Sequence, residues 1–206
     1  MKKIRTIIAD DHAVVRTGLA ALLDAEPDID VVAEAEDGED AVRAANRLLP
    51  DVIVMDLMMP VKDGVTATAE IHAAHPEIRV LILTTSSVSD DIARALDAGA
   101  SGAILKSASN EKLIAAIRSI AAGRKCVSKE VAEMIRTDPP IQNLTERQLE
   151  ILNSVMRGFT NQDIARQLNI REDSVKEHLY NIFEKIGASN RAEAVAIALR
   201  KHLLKI

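Results

Sequence analysis

Aromatic side chains are nearly absent from this chain. Its 206 residues include no tryptophan, one tyrosine and two phenylalanines, and those three (Phe159, Tyr180 and Phe183) all lie in the last quarter. The first half packs its core from Ile, Leu, Val, Ala and Met alone. A roomy small-molecule pocket usually has aromatic walls, so a ligand-sensing first half is disfavoured. A single cysteine, Cys126, excludes an intrachain disulfide and fits a reducing compartment such as the cytoplasm. A lone cysteine is most often a small core residue. No stretch approaches the roughly 18–20 apolar residues that span a bilayer, so no membrane partner is expected. The start is basic, but the apolar run after it is broken by Asp10, Asp11 and His12, which is not the pattern of a signal peptide.

What is present is a set of short apolar runs, each ending in a polar residue able to do chemistry. Ile7–Ala9 runs into Asp10 and Asp11, Val52–Met55 into Asp56, Val80–Leu83 into Thr84, and Ala103–Leu105 into Lys106. Runs this short, separated by helix-like stretches, read as buried parallel strands. Ligands bind beyond the carboxyl ends of such strands. The topology therefore delivers three carboxylates, a hydroxyl and an ammonium to one edge. Any one of them alone is an ordinary loop residue. Together they suit a phosphoryl group on a carboxylate. Asp10 and Asp11 offer the oxygen ligands that magnesium needs. Asp56, at the end of the most apolar run, is the candidate nucleophile. Thr84 and Lys106 would bind the phosphoryl oxygens.

Between the runs lie helical patterns: Ala13–Leu23, Gly38–Leu49, Val65–Ala74, a helix entered through Ser86-Ser87-Val88-Ser89 and stopped at Gly99, and Asn110–Ala122. With a further strand at Ile29–Ala33, this makes five βα units. They predict a doubly wound, five-stranded parallel α/β sheet of the flavodoxin-like kind. A short helix, Lys129–Ile135, follows with Ser128 as its N-cap.

The pattern breaks at Thr137–Pro140, where paired prolines forbid helix. No strand signal remains beyond it. Thr145 caps a helix over Glu146–Met156, and Thr160 caps a short one over Asn161–Leu168. After a turn, a longer helix runs over Glu172–Ile186 to Gly187, and a last one over Asn190–Leu204. A short helix, a tight turn and a longer helix suit a helix-turn-helix, in an all-α unit of four helices; spacing alone fits any small helical bundle equally well. The expected domains are 1–125, a linker over 126–143 carrying the short helix, and 144–206. Charge follows the same division. Residues 1–135 carry 15 Lys and Arg against 22 Asp and Glu, and residues 142–206 carry 10 against 8, within a total of −5. An acidic part joined to a mildly basic part suggests two different partners.

These residues carry a resemblance. Asp10-Asp11, the stretch Met55–Pro60 through Asp63-Gly64, Thr84, and Asp97–Gly102 through Lys106 resemble a response-regulator receiver domain. Leu144–Arg147, Thr160–Ala165, Ser174–Leu179 and Asn190–Ala194 resemble a LuxR-type DNA-binding domain. Together they resemble the NarL/FixJ class of two-component regulators over essentially the whole chain. The resemblance implies a DNA-binding transcription regulator, phosphorylated by a sensor histidine kinase and acting as a dimer when phosphorylated. It is not an enzyme beyond its own phosphorylation and dephosphorylation. Asp56 would be the phosphoacceptor, with magnesium held by Asp10, Asp11, Asp56 and the backbone carbonyl of Met58. Thr84 and Lys106 would contact the phosphoryl group. The helix over Glu172–Ile186 would enter the major groove of an inverted-repeat operator in double-stranded DNA. Its candidate DNA-facing residues are Lys176, Glu177, His178, Tyr180 and Asn181. Glu177 would be repelled by phosphate, so it either accepts from a cytosine amino group or points away. Ala194, Val195, Ala198 and Leu199 match a dimerisation element, though small residues there also suit packing within one domain. RNA polymerase is a further partner of such regulators.

The chain departs from the family in two places of the receiver. Many receivers carry an aromatic residue three positions before the lysine, where this chain has Ala103. Many follow the lysine with proline, where this chain has Ser107. Two other readings of the first half fit less well. A small-molecule phosphatase wants a second acid two residues after the nucleophile, and Met58 stands there. A receiver that is never phosphorylated would have no use for the complete set of five residues.

Overall fold

The computed structural model describes residues 3–85, 89–141, 144–201 and 203–204 and divides the chain into two units, Met1–Pro139 and Pro140–Ile206. The division falls within the paired prolines. No helix among the described residues is long and apolar enough to cross a membrane.

In the first unit strand and helix alternate as β1 (Ile4–Ala9), α1 (Ala13–Asp24), β2 (Ile29–Ala35), α2 (Gly38–Leu48), β3 (Val52–Met55), α3 (Gly64–Ala74), β4 (Arg79–Thr84), α4 (Ser89–Asp97), β5 (Gly102–Leu105) and α5 (Asn110–Ala121). The entry expected through Ser86, Ser87 and Val88 lies outside the described residues. The strands are all parallel, in the order β2-β1-β3-β4-β5, with a sixth strand beyond β5. Strand periodicity builds two cores. In β3, Ile53 and Met55 face one layer while Val52 and Val54 face the other, and all four are buried. The first layer is covered by Ala41 and Ala45 of α2, Ala67 and Ile71 of α3, and Ile92 and Ala95 of α4. The second is covered by Leu23 of α1 and by Leu113, Ile117 and Ile120 of α5. Because the order reverses between β1 and β3, the carboxyl ends of those strands frame the crevice where ligands bind in such sheets.

The structure departs from expectation beyond α5. A two-residue strand, β6 (Cys126–Val127), pairs with β5, and α6 (Lys129–Thr137) follows it. The sheet thus has six strands, the sixth too short to show periodicity in the sequence. The segment expected as linker over 126–143 therefore contains two elements docked on the first unit. Val131 is fully buried in the first core, with Met134 and Ile135 packed against it. Ser128 caps α6 by accepting from the Val131 amide, at 3.3 Å. At the other end the Ser89 hydroxyl of α4 donates to Asp138 at 2.9 Å.

The second unit holds α7 (Glu146–Met156), α8 (Asn161–Leu168), α9 (Glu172–Ile186) and α10 (Arg191–Arg200). The last helix ends four residues before the expected Leu204. Thr145 with Gln148, and Thr160 with Asp163, form reciprocal capping boxes that satisfy the first amides of α7 and α8. Ile151, Leu152, Ile164, Val175, Ile182, Ala194 and Ala198 form the core.

Gly102 is where β6 can approach. A Cβ there would lie 2.2 Å from the Cys126 carbonyl oxygen. Gly102→Ala should release β6 and lower unfolding stability by about 1–3 kcal/mol, the cost of overpacking. Denaturant melts measure the loss and hydrogen exchange at 126–137 locates it; unchanged exchange there would remove the role given to Gly102.

Candidate functional site

The ends of β1, β3 and β5 meet at one group of side chains. The Lys106 ammonium, just past β5, lies 2.6 Å from Asp10 Oδ2 and 2.7 Å from Asp56 Oδ2. Asp10 and Asp56 are both buried and Lys106 is half-buried. The backbone fixes these positions. The Asp56 amide donates to the Ala9 carbonyl, and the Lys106 amide donates to the Thr84 carbonyl. Asp56 Oδ1 accepts from the Leu57 amide at 2.7 Å, and Asp10 Oδ1 accepts from the His12 amide at 2.9 Å. Burial pushes the Asp56 carboxyl above the usual carboxylate range, against the pull of Lys106, and the neighbouring Asp10 charge adds to the rise. Burial also acts to lower the Lys106 ammonium, but its hydrogen bonds to Asp10 and Asp56 outweigh this and hold it above the usual lysine value.

Asp11 is more open to solvent. Oxygens of Asp10, Asp11 and Asp56, together with a ring nitrogen of His12, lie within 4.8 Å of one another. His12 was not singled out by the sequence, although it follows the two aspartates directly. Its Nδ1 lies 2.6 Å from Asp11 Oδ1. A hard divalent ion prefers the oxygens, so His12 is better read as a partner of Asp11 than as a ligand. Arg16, also missed, donates to the Asp10 carbonyl at 2.6 Å, one turn into α1. Thr84 is buried at the end of β4, its hydroxyl donating to the Thr85 carbonyl at 3.3 Å. Met58 follows two residues after Asp56, with its side chain half exposed.

The loop from Asp56 to α3 is pinned on both sides. Gly64 sits so close that a Cβ would lie 2.0 Å from the Asp56 carbonyl oxygen. Lys62 reaches Glu39 of α2 at 2.6 Å and Glu70 of α3 at 2.5 Å, and its carbonyl accepts from the Gly38 amide at 3.0 Å. Between these anchors Val61 is forced to φ 62°, with its side chain almost fully exposed. A β-branched residue pays about 1–2 kcal/mol for that conformation.

In the second unit, α8, the turn at Asn169 (φ 51°) and α9 form the helix-turn-helix. Val175, Leu179, Ile182 and Ile186 put one face of α9 into the core. Lys176, Glu177, Tyr180 and Asn181 are exposed on the other side and His178 is half-buried. Lys176 is paired within its own helix, 3.1 Å from Asp173 and 3.5 Å from Glu172. The dimerisation set divides. Ala194 and Ala198 are fully buried in their own unit; Val195 and Leu199 are half-buried. Ala194 and Ala198 serve internal packing.

A parallel sheet with an acidic group and a lysine at its switch point, joined to a helix-turn-helix unit, defines a two-part regulator rather than a hydrolase. Residues 6–118 match the response regulator receiver domain family, and residues 142–198 match the bacterial regulatory proteins of the luxR family. The transcriptional regulatory protein LiaR of Bacillus subtilis is 38% identical over 98% of this chain and 99% of its own. The response regulator protein VraR of Staphylococcus aureus is 37% identical over the same shares. Among solved structures, the response regulator ChrA of a heme-sensing two-component system is 39% identical, covers 99% of this chain and 100% of its own, and has a TM-score of 0.59. RcsB, solved as dimers bound to DNA, is 25% identical over 97% of this chain and 99% of its own, with a TM-score of 0.69. The chain belongs to the response regulators of the NarL/FixJ class, with a receiver domain followed by a LuxR-type DNA-binding domain.

Val61→Asn should relieve the strained turn, because asparagine tolerates left-handed backbone, and should stabilise the protein by about 1 kcal/mol. A denaturation midpoint at or below that of wild type would show that the turn is not strained.

Proposed function

We infer that Asp56 accepts a phosphoryl group from a sensor histidine kinase in the cytoplasm and that this controls DNA binding by a dimer. The observation that carries the reading is Lys106 held between the Asp10 and Asp56 carboxylates, 2.6 and 2.7 Å away, at the switch point of the sheet. The oxygens of Asp10, Asp11 and Asp56 fit magnesium, with the Met58 carbonyl as a further ligand. When bound, the ion supplies positive charge to the phosphoryl oxygens.

The side chains then have separate tasks. An Asp56 oxygen attacks phosphorus, and the bond from phosphorus to the donor breaks. The bonding pair leaves with the donor atom, an imidazole nitrogen of the kinase or an oxygen of acetate when acetyl phosphate is used. Lys106 exchanges its contact with Asp56 for one with the new acyl phosphate, whose negative charge it offsets. The Thr84 hydroxyl turns from the Thr85 carbonyl to a phosphoryl oxygen. Asp56→Asn removes the nucleophile and one buried charge, so the fold should persist while phosphorylation is lost. Intact mass after incubation with acetyl phosphate and magnesium checks this; a phosphoryl group still gained by the variant would reassign the acceptor. Asp11→Ala should also fail to phosphorylate, and wild type should bind beryllium fluoride only with magnesium present.

For DNA, α9 is the reading helix, with Lys176, Glu177, His178, Tyr180 and Asn181 as its candidate contacts. A unit with a net charge of only +2 makes few phosphate contacts, so specific affinity calls for two copies on half-sites about 10 base pairs apart. Phosphorylated protein should bind an inverted repeat more tightly than unmodified protein. Lys176 must leave Asp173 and Glu172 to reach DNA, an exposed pairing that costs little to break. Lys176→Ala should weaken binding and lower the salt slope by about one unit per protomer if it meets phosphate, or relax sequence preference if it meets a base. Unchanged affinity, slope and preference would remove Lys176 from the interface.

A further inference from the structure

At the opposite edge of the sheet from Asp56 lies a cleft of about 200 Å³, lined by His72, Arg79, Leu96, the Gly99–Ser101 turn and Gly123–Lys125. The start of β4 supplies Arg79, and Arg124 and Lys125 immediately precede β6. None of these three cations has a carboxylate within 4.0 Å among the described residues, and Glu77, close by in sequence, lies instead 3.5 Å from His75. Arg79 makes one long contact to the Pro76 carbonyl, at 3.5 Å, and Arg124 one to the Ser119 hydroxyl, at 3.4 Å. Several other basic side chains of this unit have found acids: Arg118 holds Glu26 and Asp28, Lys112 holds Glu130, and Lys62 holds Glu39 and Glu70.

Three unneutralised cations around one small cleft are unexpected in a unit whose first 135 residues carry seven more acids than bases. Mutual repulsion opposes their convergence unless an anion joins them. The cleft is too small for a folded partner and suits a compact polyanion. Gly99, at φ 110°, lets the His72 ring pack directly on the turn that forms one wall, since a Cβ there would lie 2.4 Å from that ring.

We propose that this cleft binds a small anion bearing two linked phosphate groups, of the pyrophosphate or nucleoside diphosphate kind. Two phosphates carry about the charge of Arg79, Arg124 and Lys125 combined. Arginine forks suit phosphate oxygens, and the lysine adds a point charge. Bound there, the anion bridges β4 to the residues that start β6. It would therefore hold β6 and α6 against the sheet from an end remote from Asp56. The site is independent of the phosphoacceptor, because the acidic group there repels a free polyanion without a metal.

Titration calorimetry of the full chain with inorganic pyrophosphate, in EDTA so that no metal bridges it to Asp56, tests this. Inorganic phosphate and sulfate at matched ionic strength separate a fitted diphosphate site from general attraction, and adenosine diphosphate tests whether a nucleoside is accepted. Saturable binding in the low millimolar range or tighter is expected for pyrophosphate. It should weaken by about tenfold or more in Arg124→Ala/Lys125→Ala, whose side chains are exposed and whose loss should not unfold the chain. Arg79→Ser should show the same loss, and pyrophosphate should slow hydrogen exchange at 126–137 in wild type alone. Absence of saturable binding, equal affinity for sulfate, or equal affinity in the variants would overturn the proposal.

Discussion

Two carboxylates buried beside each other need a cation, and Lys106 is that cation. Its ammonium bridges Asp10 at the end of β1 and Asp56 at the end of β3 from a position past β5. Three strands that are not all neighbours are thereby tied at one edge. The arrangement is costly as a purely structural device, since a buried ion pair stabilises a fold little better than apolar packing of similar volume. It makes sense as a site held ready for more negative charge. The two shifts have different causes: burial raises the Asp56 carboxyl against the pull of Lys106, whereas the contacts with Asp10 and Asp56 raise the Lys106 ammonium against the effect of burial.

Much of this was legible in the sequence because parallel strands leave a plain record. A buried strand reads as a short apolar run, and whatever follows it stands at the ligand-binding edge. Asp10, Asp56, Thr84 and Lys106 each follow such a run, so their convergence was readable from four local patterns. The helices of the second unit were equally plain, because Thr145, Thr160 and Asn190 cap them and Gly187 ends the longest. What escaped had no local signature. β6 is two residues long, and its place on β5 depends on the missing side chain at Gly102. The docking of α6 depends on Val131 fitting a core assembled from distant segments. His12 and Arg16 were overlooked because their roles come from the turn between β1 and α1, not from spacing.

The alanines of α10 show a limit of pattern reading. Ala194 and Ala198 belong to the set that the sequence resemblance offers for dimerisation, and small side chains suit close helix contact. The same property suits close packing within one copy, and that is how they are used: both are fully buried against α7 and α9. Val195 and Leu199 of the same helix stay half-buried. On α9 the outcome was the reverse, since Val175 and Leu179 went into the core and left Lys176 and Tyr180 outside.

The scarcity of aromatic residues bears on how the two edges of the sheet communicate. At Ala103 there is no ring but a fully buried methyl group facing the first core. No side chain there can swing between inward and outward positions, so a change at Thr84 has to travel through backbone and packed helices. The connections are short. Thr84 accepts from the Lys106 amide, Ala103 accepts from the Ser128 amide, and Ser128 caps α6. Ser89, the first residue of α4, donates to Asp138 at the far end of that helix. α6 therefore touches the β5 edge at its start and α4 at its finish, and the paired prolines follow at once. With no ring at position 103, the last helix of this unit is set against α4 and the β5 edge, the two elements beside Thr84.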